Sequence, residues 1–243
     1  MDNMLDAVRQ FLEHDAELFG GEAYNRTLYE QLVQHINATW RPSIDSSRIS
    51  PQRFQSATSL RQLYDSIHTC RNCPLGKTRT NFVFGVGNPK ADIVLVGEAP
   101  GAEEDRKGEP FVGRAGKLLN QILESVQFKR EEVYICNILK CRPPNNRDPL
   151  PTEVNACEPY LHHQLDLIKP KIIVALGRVA AQTLLRTKES LTRLRTRVHS
   201  YHDMPMVVTY HPAALLRNPN WKRPTWEDFK KVREMFENLK TTG

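Results

Sequence analysis

The feature that most constrains this chain is an apolar run with almost no polar break, KIIVALG at residues 171–177. A run of this length and composition suits a strand buried on both faces, the environment of a parallel sheet. Further runs of the same kind lie at 92–96, 133–139 and 206–209. Helical patterns at 115–126, 152–168 and 179–185 fall between them, and a last helix is expected over 226–239. Thr225 is its expected N-cap, with Asp228 three residues on. Strands separated by helices imply right-handed crossovers and a parallel sheet.

In such a sheet the ligand site lies beyond the C-terminal strand ends. Three polar segments are expected there: GEAPGAEED, NILKCRPPNNRDP and YHPAALLRNPNWKRP. Upstream, SLRQLYDSIHT reads as a short helix. Residues 40–58, rich in Ser, Pro, Arg and Gln, read as a linker. Residues 1–39 read as a helical extension, with Leu5, Val8, Phe11 and Leu12 on one face and Leu28, Leu32 and Ile36 on another. The domain of interest is therefore expected at 59–243.

Composition limits the function classes. No stretch of 18 apolar residues exists, so no membrane span is expected. The first residues carry acids and no apolar leader core, so the expected location is the cytoplasm, with the nucleoid. A net charge of +6 favours an anionic partner, nucleic acid first, against a merely basic soluble protein.

Five cysteines in a reducing compartment suggest metal ligation or core thiols. Cys70 and Cys73 form a C-x-x-C; Cys141 and Cys157 lie far downstream. Four thiolates can hold a [4Fe–4S] cluster or a zinc ion, and four unrelated thiols are the bland alternative. Cys136 falls inside an apolar strand and reads as a core thiol.

GRAGK is not a phosphate loop: Gly113 and Gly116 are too close, and Leu118 follows Lys117. The zinc deaminase pattern is absent. Glu98 in the GEAPG turn projects toward the rim, while Glu103, Glu104 and Asp105 read as solvent-facing acids at a helix start. His211 closes the last strand, where it can donate to a carbonyl oxygen. Leu215 and Leu216, followed by Arg217, Lys222 and Arg223, have the makings of an apolar wedge flanked by cations, a device that prises bases from a stack. The alternative is that the leucines pack under their own loop.

Taken in order, C-x-x-C, GEAPGAEEDRKGEPFVGRAGKLL, YICNILKCRPPNNRDP, a Cys before EPYL, LGRVAAQTLL and TYHPAALLR resemble the iron–sulfur family 4 uracil-DNA glycosylases from about residue 60 onward. The resemblance implies a three-layer α/β/α sandwich around a short, mainly parallel four-stranded sheet. It implies a [4Fe–4S] cluster on Cys70, Cys73, Cys141 and Cys157. It implies a uracil site with Glu98 and the backbone at Ala99 and Pro100, Phe111 stacking on the base, Asn137 on its edge and His211 at a carbonyl oxygen. Glu98 and His211 are the expected catalytic pair; Leu215, Leu216 and Arg217 are the expected DNA contacts.

Ala99 stands where family 1 enzymes carry an Asp, which leaves Glu98 as the acid. The stretch after Cys141 carries no His and no long basic insert, so turnover is expected rather than the covalent capture of one superfamily variant. The expected partner is uracil-containing DNA, double- or single-stranded, bound by a monomer. A competing reading is a non-catalytic DNA-binding or polymerase-associated iron–sulfur module. A third is a metal-bearing interaction protein whose N-terminal helices recruit a protein partner.

Overall fold

The structure is a computed structural model that describes residues 52–241. The expected extension at 1–39, and residues 40–51 of the expected linker, lie outside the described residues. The end of that linker is built into the fold. Gln52–Gln55 (α1) forms one helical turn, and Phe54 is buried edge-on against Tyr160, with ring centroids 4.9 Å apart.

Leu60–Ile67 (α2) follows, capped by the Ser59 side chain, which accepts from the Gln62 N–H. Its i, i+4 pair, Leu63 and Ile67, is fully buried. Leu75–Thr78 (α3) is a single turn after the C-x-x-C. The remaining elements are β1 (Val86–Gly87), β2 (Ile93–Gly97), α4 (Ala102–Lys107), α5 (Arg114–Ser125), β3 (Tyr134–Asn137), α6 (Pro151–Ile168), β4 (Ile172–Leu176), α7 (Arg178–Leu185), α8 (Leu191–Leu194), β5 (His199–Tyr201), β6 (Met204–Thr209), α9 (Pro212–Arg217) and α10 (Lys222–Thr241).

The sheet has six strands in the order β1-β3-β2-β4-β6-β5. The four expected strands are its parallel centre. The expected count of four is corrected by β1 and β5, which pair antiparallel on the two edges. Both are two or three residues long, too short to show a hydrophobic period.

Alternation along each strand divides the core in two. Val94, Val96, Ile173, Ala175 and Val208 pack on one face, with Leu161, Leu165 and Ala181 of the helices. Ile93, Leu95, Ile172, Val174 and Val207 pack on the other, with Leu119, Leu123 and Phe229. Each Val, Leu, Ile or Phe among them contributes about 1.5–3 kcal/mol on burial. The result is the expected three-layer sandwich.

The last helix differs from expectation. It starts at Lys222, with Pro224 in its first turn, where a missing N–H costs nothing. Thr225 is therefore inside the helix, donating to the Trp221 carbonyl. Asp228 is no capping partner; it accepts from Thr209 and Arg195.

Strand order places the switch point beside β2: the chain leaves β2 for β3 on one side and returns to β4 on the other. Ligands of open α/β sheets bind in the crevice at that point.

Candidate active site

The C-terminal ends of all four parallel strands open into one cleft of about 710 Å3. Glu98, Ala99 and Pro100 follow β2, Asn137 ends β3, Gly177 follows β4 and His211 follows β6; all line the cleft together with Phe111 and Arg217. The structure thus brings every expected base-site residue to one place.

Close packing explains two glycines. A Cβ on Gly97 would stand 2.3 Å from Asn137 Oδ1 and 2.9 Å from the Phe111 ring. A Cβ on Gly116 would stand 1.8 Å from the Phe111 carbonyl oxygen.

Phe111 itself has φ of +53°, a left-handed backbone that costs a bulky residue about 1–3 kcal/mol. Its loop is held from both sides. The Glu104 carboxylate accepts from the Val112 and Gly113 N–H groups, each at 3.0 Å. Arg130 donates to the Pro110 carbonyl at 2.7 Å. Strain held this firmly is typical of a position that must present a ring.

Asn137 is 2% exposed, and its Oδ1 has no hydrogen-bond partner among the described residues. An unsatisfied buried acceptor costs about 1–3 kcal/mol, which a ligand donor would remove. Its backbone carbonyl is fixed from behind by the buried Lys140, whose Nζ donates at 2.7 Å and also bonds Gln164 Oε1.

His211 caps α9: its Nδ1 accepts from the Ala213 N–H at 3.1 Å. That bond assigns the ring proton to Nε2. Burial, then Arg217, hold its pKa down at about 4, so the ring is a neutral donor at neutral pH. It sits 5.4 Å from the Phe111 ring, tilted by 33°.

Burial, then the nearby Asp148, push Glu98 up to about 7, against the opposing pull of Arg178. Asp148 and Arg178 pair with each other at 2.7 Å, and both line the cleft.

Cys70, Cys141 and Cys157 are buried and Cys73 half-buried, packed in one core region. Donors point at three of the sulfurs: Asn72 N–H at Cys70 (3.4 Å), Arg79 at Cys141 (3.1 Å) and Lys140 N–H at Cys157 (3.3 Å). Burial pushes the Cys141 thiol up to about 11 and the Cys157 thiol up to about 12, so a compensating cation is needed to hold them as thiolates. Among the described residues, no group of three His, Cys, Asp or Glu side chains stands in metal-holding geometry. What fits a metal here is the donor set: thiols in one region with N–H groups aimed at sulfur. Cys136 is a fully buried strand residue, away from this role.

Sequence reasoning needs three corrections at the site. Leu215 is fully buried and is not a free wedge; only Leu216, 40% exposed, projects from α9. Glu104 is not a solvent acid but the anchor of the Phe111 loop. Asp105 is buried, accepting from the Thr80 and Asn81 N–H groups. Tyr210 and Trp221, which also line the cleft, were not anticipated; the only signal for them was aromatics beside a cation-rich loop.

A sequence profile for the uracil DNA glycosylase superfamily matches residues 84–232. The chain is 49% identical over 185 residues to a type-4 uracil-DNA glycosylase of Archaeoglobus fulgidus, covering 73% of this chain and 93% of that one. The chain belongs to the type-4 uracil-DNA glycosylases. The type-4 proteins of Sulfurisphaera tokodaii and Thermotoga maritima are 47% and 44% identical, over 73% and 71% of this chain and 84% and 92% of theirs. The β2-to-β6 frame and its rim fall inside the matched region. No described helix is long and apolar enough to cross a membrane.

Proposed function

We propose that this type-4 family member is a monofunctional uracil-DNA glycosylase that flips uracil from DNA and hydrolyses its N-glycosidic bond. The product is an abasic site, the starting point of base excision repair. The observation that carries the reading is the buried Asn137 Oδ1 without a partner among the described residues, in one cleft with the Phe111 ring and a neutral His211.

The glycosidic bond is hidden in a stacked duplex, so the nucleotide must be extruded. Phe111 supplies a face that replaces part of the lost stacking, about 1–3 kcal/mol per base. Asn137 carries one acceptor and two donors. It suits the uracil edge, where a ring N–H adjoins a carbonyl oxygen. Cytosine presents a bare ring nitrogen and an amino group there, which reverses both partners, so the amide would have to turn over to pair with it.

Bond cleavage builds positive charge on the sugar and negative charge on the departing base. The Nε2–H of His211 donates to the uracil carbonyl oxygen where that charge collects. The ring is neutral at neutral pH, so it offers a hydrogen bond rather than a transferable proton. Glu98, ionised above about pH 7, stabilises the sugar cation or orients the attacking water. Arg217 contacts backbone phosphate.

Cys70, Cys73, Cys141 and Cys157 would hold the [4Fe–4S] cluster. When bound, it supplies a structural crosslink between the C-x-x-C segment, the chain after β3 and α6. The substrate is uracil-containing DNA, double- or single-stranded. The acting species is a monomer in the cytoplasm, and residues 1–39 are the candidate surface for a protein partner.

The test is uracil release. A labelled oligonucleotide with one uracil, beside a thymine control, is incubated with protein and treated with alkali. A uracil-dependent cut that vanishes without alkali is expected. No cut from iron-bearing protein would sink the reading in favour of a non-catalytic DNA-binding module. A DNA adduct surviving hot detergent would contradict turnover.

A further inference from the structure

The cleft extends outward beyond the residues assigned to uracil. Its volume of about 710 Å3 falls in the roughly 300–1,000 Å3 that encloses a drug-sized ligand, well beyond one pyrimidine ring. The outer wall is aromatic. Trp221 lies flat on Tyr210, centroids 4.7 Å apart and planes 6° from parallel.

The Arg195 guanidinium sits over the Tyr210 ring at 4.2 Å, and so on the face that Trp221 leaves free. Arg195 is fixed in turn by Asp228 at 2.8 Å and by the Pro224 carbonyl at 2.9 Å. Asp228 is anchored to the sheet through Thr209 at 2.6 Å. The stack Arg195–Tyr210–Trp221 therefore rises from the core as a rigid column.

Its top is open. Tyr210 is buried, but Trp221 is 37% exposed, and no second ring contact covers it among the described residues. The uncovered indole face is a flat surface on which another ring can stack. Arg217 lines the same cleft, and Lys222 and Arg223 follow Trp221 in sequence; all three are exposed and none is ion-paired among the described residues. A flat aromatic face with unpaired cations on the same stretch of chain suits a base and its phosphates.

We propose that Trp221 is a stacking platform for the base next to the flipped uracil, on the same strand. The inference rests on the uracil-excision reading. Extruding one nucleotide uncovers a face of its neighbour; an aromatic ring in the same cleft can cover that face while Phe111 takes the uracil. Trp221 would act on capture of the flipped state, and the bond-breaking groups would be untouched by its loss.

The experiment uses the full chain with Trp221→Ala, Trp221→Leu and Trp221→Phe. The substrates are single-stranded oligonucleotides with one uracil, flanked either by ordinary bases or by one abasic tetrahydrofuran residue, 5′ or 3′. Single strands remove the opposite-strand base from consideration.

With ordinary flanks, Trp221→Ala and Trp221→Leu should raise KM about tenfold, within the roughly five- to 150-fold worth of one stacked base. Saturated kcat should hold, and Trp221→Phe should retain most of the affinity. On one of the two abasic-flank substrates, wild type and Trp221→Leu should become equal, because the stacking partner is gone. Equal losses on every substrate, a change in kcat alone, or no loss at all would overturn the platform. Wild type releasing no uracil from the ordinary substrate would instead overturn the underlying reading, and the platform with it.

Discussion

The inner and outer halves of the cleft are built by opposite rules. Inside, Phe111 holds a left-handed backbone, Asn137 hides an unpaired acceptor, and His211 and Glu98 are both held away from their ordinary ionisation. The strained backbone, the unpaired acceptor and, at neutral pH and above, the ionising Glu98 cost stability in the free protein. The neutral His211 costs stability only as pH falls below its ordinary 6.5. Outside, Arg217, Lys222, Arg223 and Trp221 are solvent-facing and cost little. On the proposed reading the difference separates chemistry from capture: strained, dry groups would act where charge develops, and exposed cations and a flat ring where a polymer must first be held.

Inner substitutions should therefore lower the rate at saturation, and outer ones the affinity. The largest effect is expected for His211→Ala. Removing one donor to a developing oxyanion costs about 10²–10³ in kcat, with KM little changed. A loss below tenfold in single-turnover assays would remove His211 from the transition state.

Glu98→Gln should follow, with a rate loss on the order of 10² at pH 8 and nearly intact DNA binding. The wild-type rate should climb as pH rises through about 7, where Glu98 ionises; the variant should lack that limb. His211 adds no second limb until about pH 4. The same carboxyl has a stability signature of fixed sign. Its folded pKa lies above the ordinary 4.5, so the fold binds the proton more tightly than the unfolded chain. Stability then falls as pH rises from about 4.5 to 7. Glu98→Gln should melt higher than wild type at pH 8 while working more slowly; equal melting temperatures would mean that Glu98 is not perturbed as described.

Asn137→Ala should reduce kcat/KM for uracil by about 10–100-fold, through loss of edge recognition. Thermal stability should not fall far, because losing the unsatisfied acceptor removes a cost that offsets the cavity left behind. A large melting loss would show the amide to be structural.

The smallest effect is expected outside. Arg217→Ala should weaken DNA binding a few-fold and reduce the salt slope by about 0.7–0.9, the share of one phosphate contact. An unchanged slope would place Arg217 off the backbone.

Much of this division is legible in the sequence. The four parallel strands and their rim loops follow from apolar runs, because strands buried on both faces leave few polar residues to confuse the pattern. The edge strands β1 and β5 do not, since pairing two or three residues leaves no period. Glu98, Phe111, Asn137 and His211 are found through motif order, but not their states. The His211 tautomer depends on the Ala213 N–H, and the raised Glu98 on burial beside Asp148. Leu215 and Leu216 look alike in sequence; only the one-turn geometry of α9 sends one inward and one out. Glu104 looks like a helix-start acid because its partners, Val112 and Gly113, lie eight and nine residues away. The Trp221 column needs Arg195 and Asp228 from separate elements, which no local pattern joins.

The most direct test of the division is the single-turnover rate of uracil release at saturating protein, measured side by side for His211→Ala and Arg217→Ala. The account predicts a loss of about 10²–10³ for the first and a wild-type rate for the second. Comparable losses in both would mean that the cleft works as one unit, and a wild-type rate for His211→Ala would place the chemistry elsewhere.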